Sequence, residues 1–146
     1  MKSIVNYLFL ISILFLTCNT SIAQDSLIGH WEGEDQGEVG NIHFNKNGIA
    51  LFIFNNDTLG GDSFTIGGHE AYLKYTVEYS EEIHALDFII YLKDNDVEVG
   101  RIPCIIRFEN EDNIFVCMNF NDESRPTTFD EGDTILMTRI PLEKNE

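Results

Sequence analysis

From residue 27 onward the chain is a succession of short segments in which apolar and polar side chains alternate, broken at intervals of roughly ten residues by Gly, Asn and Asp. Alternation of period two puts successive side chains on opposite faces of an extended strand, and no stretch sustains the 3.6-residue period of an amphipathic helix. The segments fall near 27–33, 40–46, 49–55, 62–67, 71–79, 84–92, 98–108, 113–120 and 133–140. The fold class they imply is all-β. Short turns between successive strands make an antiparallel up-and-down meander of eight or nine strands. Such a meander does best by closing into a barrel, because closure removes unpaired edges.

Register can be read from individual turns. NIHFNKNGIALFIF (41–54) carries Asn47-Gly48 at its centre, a strong two-residue hairpin signal. A two-residue turn pairs Lys46 with Ile49, Phe44 with Leu51 and Ile42 with Ile53, and gathers these last four apolar side chains on one face. Phe52 and Phe54 then join His43 on the other face. Further on, Leu73, Tyr75 and Val77 form one inward set. Leu86, Phe88, Ile90 and Leu92 form the next, and pairing Phe88 with Ile102 keeps Ile102, Cys104, Ile106 and Phe108 on the same side.

Cys104 and Cys117 flank ENED (109–112). An even loop sets them opposite each other, where a disulfide is geometrically possible. An odd loop faces Cys104 to Met118 and turns Cys117 outward beside Ile105. The odd loop buries Ile114, Val116 and Met118, whereas the even one buries Asn113 and Asn119, which is costly without partners. The odd register, with two free thiols, is the expected one.

Residues 1–23 read as a secretory signal: Lys2 is basic, LFLISILFL (8–16) is apolar, and Ser21-Ile22-Ala23 is a small-x-small cleavage site. The apolar run is too short to span a bilayer. The expectation is an exported, periplasmic or secreted protein whose domain occupies 24–146; lipidation at Cys18 is the lesser reading. With 25 acidic residues against nine Lys and Arg, the formal net charge is −16. Such a chain is repelled by phosphate backbones and anionic lipid, which argues against nucleic-acid and peripheral-membrane roles.

The one tryptophan, Trp31, lies in LIGHWEG (27–33), and Arg139 lies in the last strand segment, TILMTRI (134–140). Gly29-x-Trp31 on the first strand, a meander, and Arg139 on the last together resemble the lipocalin-like barrels. ALDF (85–88), RIPCIIRFENEDNIFVCMNF (101–120) and RPTTF (125–129) resemble small bacterial domains of that kind whose function is uncharacterised. The resemblance implies that Trp31 plugs the closed end with Arg139 stacked on its ring. A cation–π contact of that kind is worth ~0.5–2 kcal/mol. Gly29 would leave room for a close approach. The chain is too short for the helix that larger lipocalins pack on the barrel.

These readings converge on a binding module rather than an enzyme. A small apolar or amphipathic ligand would enter the mouth opposite Trp31, since barrel mouths are preferred pockets. The expected lining is the inward set Phe44, Leu51, Ile53, Leu73, Tyr75, Phe88, Ile90, Ile106 and Met118, each of which could equally be filled core. Arg125 is either a rim cation or a loop residue paired with an acid. The alternative function is a protein-interaction or inhibitor role through the acidic outer surface or the face bearing Phe52 and Phe54. No serine sits in a nucleophile elbow, and Asp87 reads as an ion-pair partner for Arg101, Arg107 or Lys74. His30, His43 and His84 are assigned to strand faces opposite the core and His69 to a turn, with no metal-ligand spacing among them. No cofactor and no metal is expected.

Overall fold

The structure, a computed structural model, describes residues 27–35, 37–55, 57–119, 124–131 and 133–141. The signal-peptide reading of residues 1–23 and Cys18 lie outside the described residues. The described chain forms ten antiparallel strands: β1 (Gly29–Asp35), β2 (Glu38–Phe44), β3 (Ala50–Phe54), β4 (Asp57–Gly60), β5 (Phe64–Ile66), β6 (His69–Glu78), β7 (His84–Leu92), β8 (Glu98–Phe108), β9 (Asn113–Met118) and β10 (Asp133–Ile140). They make one sheet in the order β4-β3-β2-β1-β10-β9-β8-β7-β6-β5. Every strand from β5 to β10 pairs with its neighbour in sequence, as do β1 to β4, and β10 pairs with β1. This is an up-and-down meander, curled into a nearly closed barrel. Among the described residues no helix is long and apolar enough to cross a membrane.

The seam lies between the hairpin β3–β4 and strand β6. Ile49 bridges Lys74 there. The Tyr75 N–H donates to the Gly48 carbonyl at 2.9 Å, and the Leu73 N–H to the Gly61 carbonyl at 3.1 Å. β4 was not anticipated from the sequence, because DTLG reads as turn. It forms because Gly60, at φ +104°, lets the chain fold tightly onto the seam. A Cβ at Gly60 would lie 2.6 Å from the Leu73 side chain and 2.8 Å from the Ala50 carbonyl.

The hairpin at Asn47-Gly48 differs from the two-residue expectation. The Gly48 N–H donates to the Asn45 carbonyl at 3.1 Å, and the Asn45 N–H to the Ile49 carbonyl at 2.9 Å. The loop is thus three residues, Lys46 to Gly48, with Gly48 left-handed at φ +79°, the arrangement of a type I turn closed by a glycine bulge. Ile42 pairs with Phe52 and Phe44 with Ala50. One extra loop residue turns over every side chain of β3. Phe52 is buried inside the barrel, while Leu51 and Ile53 are half-buried on its outer side. The observed register buries the larger ring of Phe52, and Asn47 supports it by accepting from the Ile49 N–H at 3.2 Å.

Elsewhere the register follows expectation. Phe88 pairs with Ile102, and Cys104 pairs with Met118, which places Cys117 beside Ile105. Both cysteines are free thiols. Cys117, although directed to the outer face, is fully buried together with Ile105. The loop Ser124–Glu131 covers that face. The Thr128 carbonyl lies 3.8 Å from the Cys117 thiol that donates to it. The Arg107 guanidinium rests 5.1 Å and 5.0 Å from the ring centres of Phe115 and Phe129.

Candidate functional site

The two ends of the barrel are built differently. At one end Trp31 is fully buried, and its indole N–H donates to the Leu27 carbonyl at 2.8 Å. Arg139 is its cross-strand partner on β10, and the guanidinium sits 4.2 Å from the centre of the indole. The same guanidinium donates to the Ile28 carbonyl at 2.8 Å and the Glu111 carbonyl at 3.0 Å. A Cβ at Gly29 would lie 2.8 Å from Arg139 Nη1, so the absent side chain is the space that the cation occupies. This end is closed, and Trp31, Arg139 and Gly29 are structural there. His84 faces inward at this end too, contrary to the sequence-based assignment. It shares the even parity of Leu86 and pairs with Ile106, and its ring lies 5.2 Å from that of Tyr79 and 5.6 Å from that of Phe108.

Most of the expected lining is filled core. Phe44, Leu73, Phe88 and Ile106 are essentially inaccessible, and Ile90 nearly so. The Phe88 ring packs on those of Phe52 and Phe44, with centres 4.6 Å and 5.8 Å away. Tyr75 is half-buried, and its hydroxyl donates to the Asn45 carbonyl at 2.8 Å. Leu51 and Ile53 are outside the barrel altogether, for the loop-length reason given above.

Among the described residues the opposite end is open. Asp35 ends β1, Glu38 begins β2, Phe54 ends β3, Met118 ends β9 and Asp133 begins β10, all at this end. The inward side chains of Asp35, Glu38, Phe54 and Met118 border a cleft of about 150 Å³ there. Ile42, Met118 and Met137 are buried within it, Ile135 and Phe54 flank it, and Gly33 and Gly40 form one wall. Gly33 and Gly40 are direct cross-strand partners. Without Cβ atoms they let Phe54 lie against the β2 backbone and Ile135 and Met137 against that of β1; a Cβ at either would stand 2.7 Å from a neighbouring side-chain carbon. Asp35 and Glu38, also direct partners, form the polar edge of the cleft.

Only Met118 of the sequence-expected lining reaches this cleft. The signal that could have located it was Gly33 and Gly40 in EGEDQGEVG (32–40), which face each other across the β1–β2 hairpin without Cβ atoms. Phe54 was assigned to the outer face and instead stands at the mouth, 43% exposed, with its ring 5.7 Å from that of Phe52.

Arg125 is not at this rim. Its guanidinium donates to the carbonyls of Cys104 at 2.6 Å and Leu86 at 3.2 Å, and to the Asp87 carboxylate at 2.7 Å. Asp87 also accepts from Arg101 at 2.9 Å. The acid is therefore a shared partner of two arginines, and Arg125 pins the covering loop to the outer face. Burial pushes the Cys104 thiol well above its ordinary range, so it is not a thiolate nucleophile. On the outer face of β1 and β2 the rings of His30 and His43 stack at 3.7 Å, only 5° from parallel. Burial, with a smaller contribution from His30, holds the His43 imidazole below its ordinary value. Among the described residues no group of three or more His, Cys, Asp or Glu is placed to hold a metal ion.

In comparisons with family models, with curated proteins and with solved structures, nothing matched this chain.

Proposed function

We infer that the protein is an exported, lipocalin-like binding module, not an enzyme, and that its ligand is a small apolar or amphipathic molecule held in the mouth opposite Trp31. The observation that supports this reading is the cleft itself. The described residues form an apolar recess over Ile42, Met118 and Met137, and it lies at the end opposite Trp31 and Arg139. Its two methionines suit such a role, since a flexible thioether adapts to irregular shapes. At about 150 Å³ the recess is well below the ~300 Å³ of an ordinary drug-sized pocket. It matches the engineered protein cavities of comparable volume that take up a benzene-sized molecule. The ligand portion inside the barrel is therefore about one ring or a short alkyl chain.

Titration of methyl-labelled protein with one-ring compounds tests this. Binding should move the Met118 and Met137 methyl signals and leave those of Leu86 and Ile106 in place. Failure of every one-ring compound to shift the two methionines would refute the reading.

A further inference from the structure

We propose that the ligand of the mouth is a cationic amphiphile: a small ammonium compound that puts one apolar ring in the cleft and its charge between Asp35 and Glu38. The proposal rests on the mouth being the binding site and names the class of molecule that fits it.

Three observations carry it. The closing pair of the β1–β2 hairpin is Asp35 opposite Glu38. Two like charges directly opposite on one face of an antiparallel pair repel, and nothing in the local fold requires them. Both side chains share the inward parity of Gly33 and Gly40, so both face the cleft rather than the outer surface. Among the described residues no ion pair engages either carboxylate, and no basic residue lines the cleft. A cation seated between the two acids would relieve their repulsion.

The apolar part agrees with this charge. Phe54 stands at the edge of the cleft, 43% exposed, on the same wall as Glu38, since both belong to the β2–β3 side of the mouth. An exposed aromatic ring next to carboxylates is a favourable neighbour for an ammonium group. The buried floor of Ile42, Met118 and Met137 offers no polar partner, so a hydrophilic cation such as free ammonium gains little there. Over the whole chain, the net charge of −16 raises the local concentration of any cation and excludes anions.

The test uses three probes of nearly one shape and different charge: benzylammonium, benzyl alcohol and benzoate. Affinity is read from the Met118 and Met137 methyl shifts at fixed ionic strength. Benzylammonium should bind about fivefold or more tightly than benzyl alcohol, the gain of one to two exposed ion pairs, and benzoate should bind weakest. The double variant Asp35→Asn/Glu38→Gln should abolish that advantage, so that benzylammonium and benzyl alcohol bind the variant about equally. Both positions are exposed, so the fold should tolerate the change. If benzyl alcohol or benzoate binds as well as benzylammonium, the cationic specificity is wrong while the mouth remains the site. If none of the three moves the methionine signals, both readings fall. If the mouth signals shift with protein concentration alone, a second copy of the chain is the occupant and the proposal is overturned.

Discussion

At the scale of single residues, the closed end depends on an absence. Gly29 has φ +138°, and any Cβ there would collide with Arg139. The guanidinium can then stack on Trp31 while capping two carbonyls that strand pairing leaves free. A double-mutant cycle of Trp31→Leu and Arg139→Met should show a favourable coupling of about 0.5–2 kcal/mol in urea unfolding. A coupling near zero would mean that the two side chains are neighbours without mutual stabilisation. The stacked pair His30 and His43 makes a second residue-scale statement. The folded state holds the His43 imidazole below its ordinary value of 6.5, chiefly through burial. The unfolded chain therefore binds that proton more readily, so stability is complete above pH 6.5 and declines as pH falls from there toward the folded value. The variant His43→Asn should make this part of the stability profile shallower, leaving the share of His84, whose imidazole burial also holds below its ordinary value, as measured by urea midpoints between about pH 7 and pH 5. A wild-type slope that persists in the variant would assign it elsewhere.

At the scale of elements, two connections decide the shape. The first is the seam, where Gly60 is crowded by the Leu73 side chain and the Ala50 carbonyl. Gly60→Ala adds a clash to an unfavourable φ, and should cost about 2–3 kcal/mol. Its effect should be local, with faster hydrogen exchange at the Leu73 and Tyr75 amides that cross the seam. Uniform acceleration over the barrel would contradict a local seam. The second is the loop Ser124–Glu131. It covers Ile105 and Cys117, and Arg125 anchors it. Arg125→Ala removes charge-assisted bonds worth about 1–3 kcal/mol in total. It should also make Cys117 react with thiol reagents in the native protein, leaving Met118 and Met137 methyl shifts on ligand titration intact. Lost uptake with unchanged stability would instead support a rim role for Arg125. These elements also show where reading the sequence stops. The β8–β9 register was legible because only one loop parity buries apolar side chains on β9. The β2–β3 register was not, because β3 carries apolar residues at every position of ALFIF and both parities look acceptable. A hydrogen bond from Gly48 to Asn45 and the contacts across the seam choose between them.

At the scale of the whole molecule, charge and packing act in opposite directions. A chain with formal net charge −16 repels itself when compact, and a filled core offsets that repulsion. Raising NaCl from about 20 mM to about 200 mM shortens the screening length several-fold relative to the barrel's size. The urea midpoint should therefore rise. A midpoint that falls with salt would mean that ion pairs such as Arg125–Asp87 and Arg101–Asp87 outweigh the general repulsion.

The sequence alone determined the class of fold, the inward sets of β6 to β9, the free thiols, and the meeting of Trp31 with Arg139. The first three follow from a period-two pattern in which one face is clearly apolar, so that local alternation carries the information, and the meeting of Trp31 with Arg139 was implied by the resemblance to the lipocalin-like barrels. Tertiary structure decided the rest. The number of residues in one turn set which face of β3 is inside, and removed Leu51 and Ile53 from the lining. A covering loop turned an outward cysteine into a buried one and drew Arg125 away from the mouth. The cleft emerged where two glycines face each other on adjacent strands beneath a pair of carboxylates. That depends on the register between strands, which alternation within a strand does not encode when both of its faces are apolar.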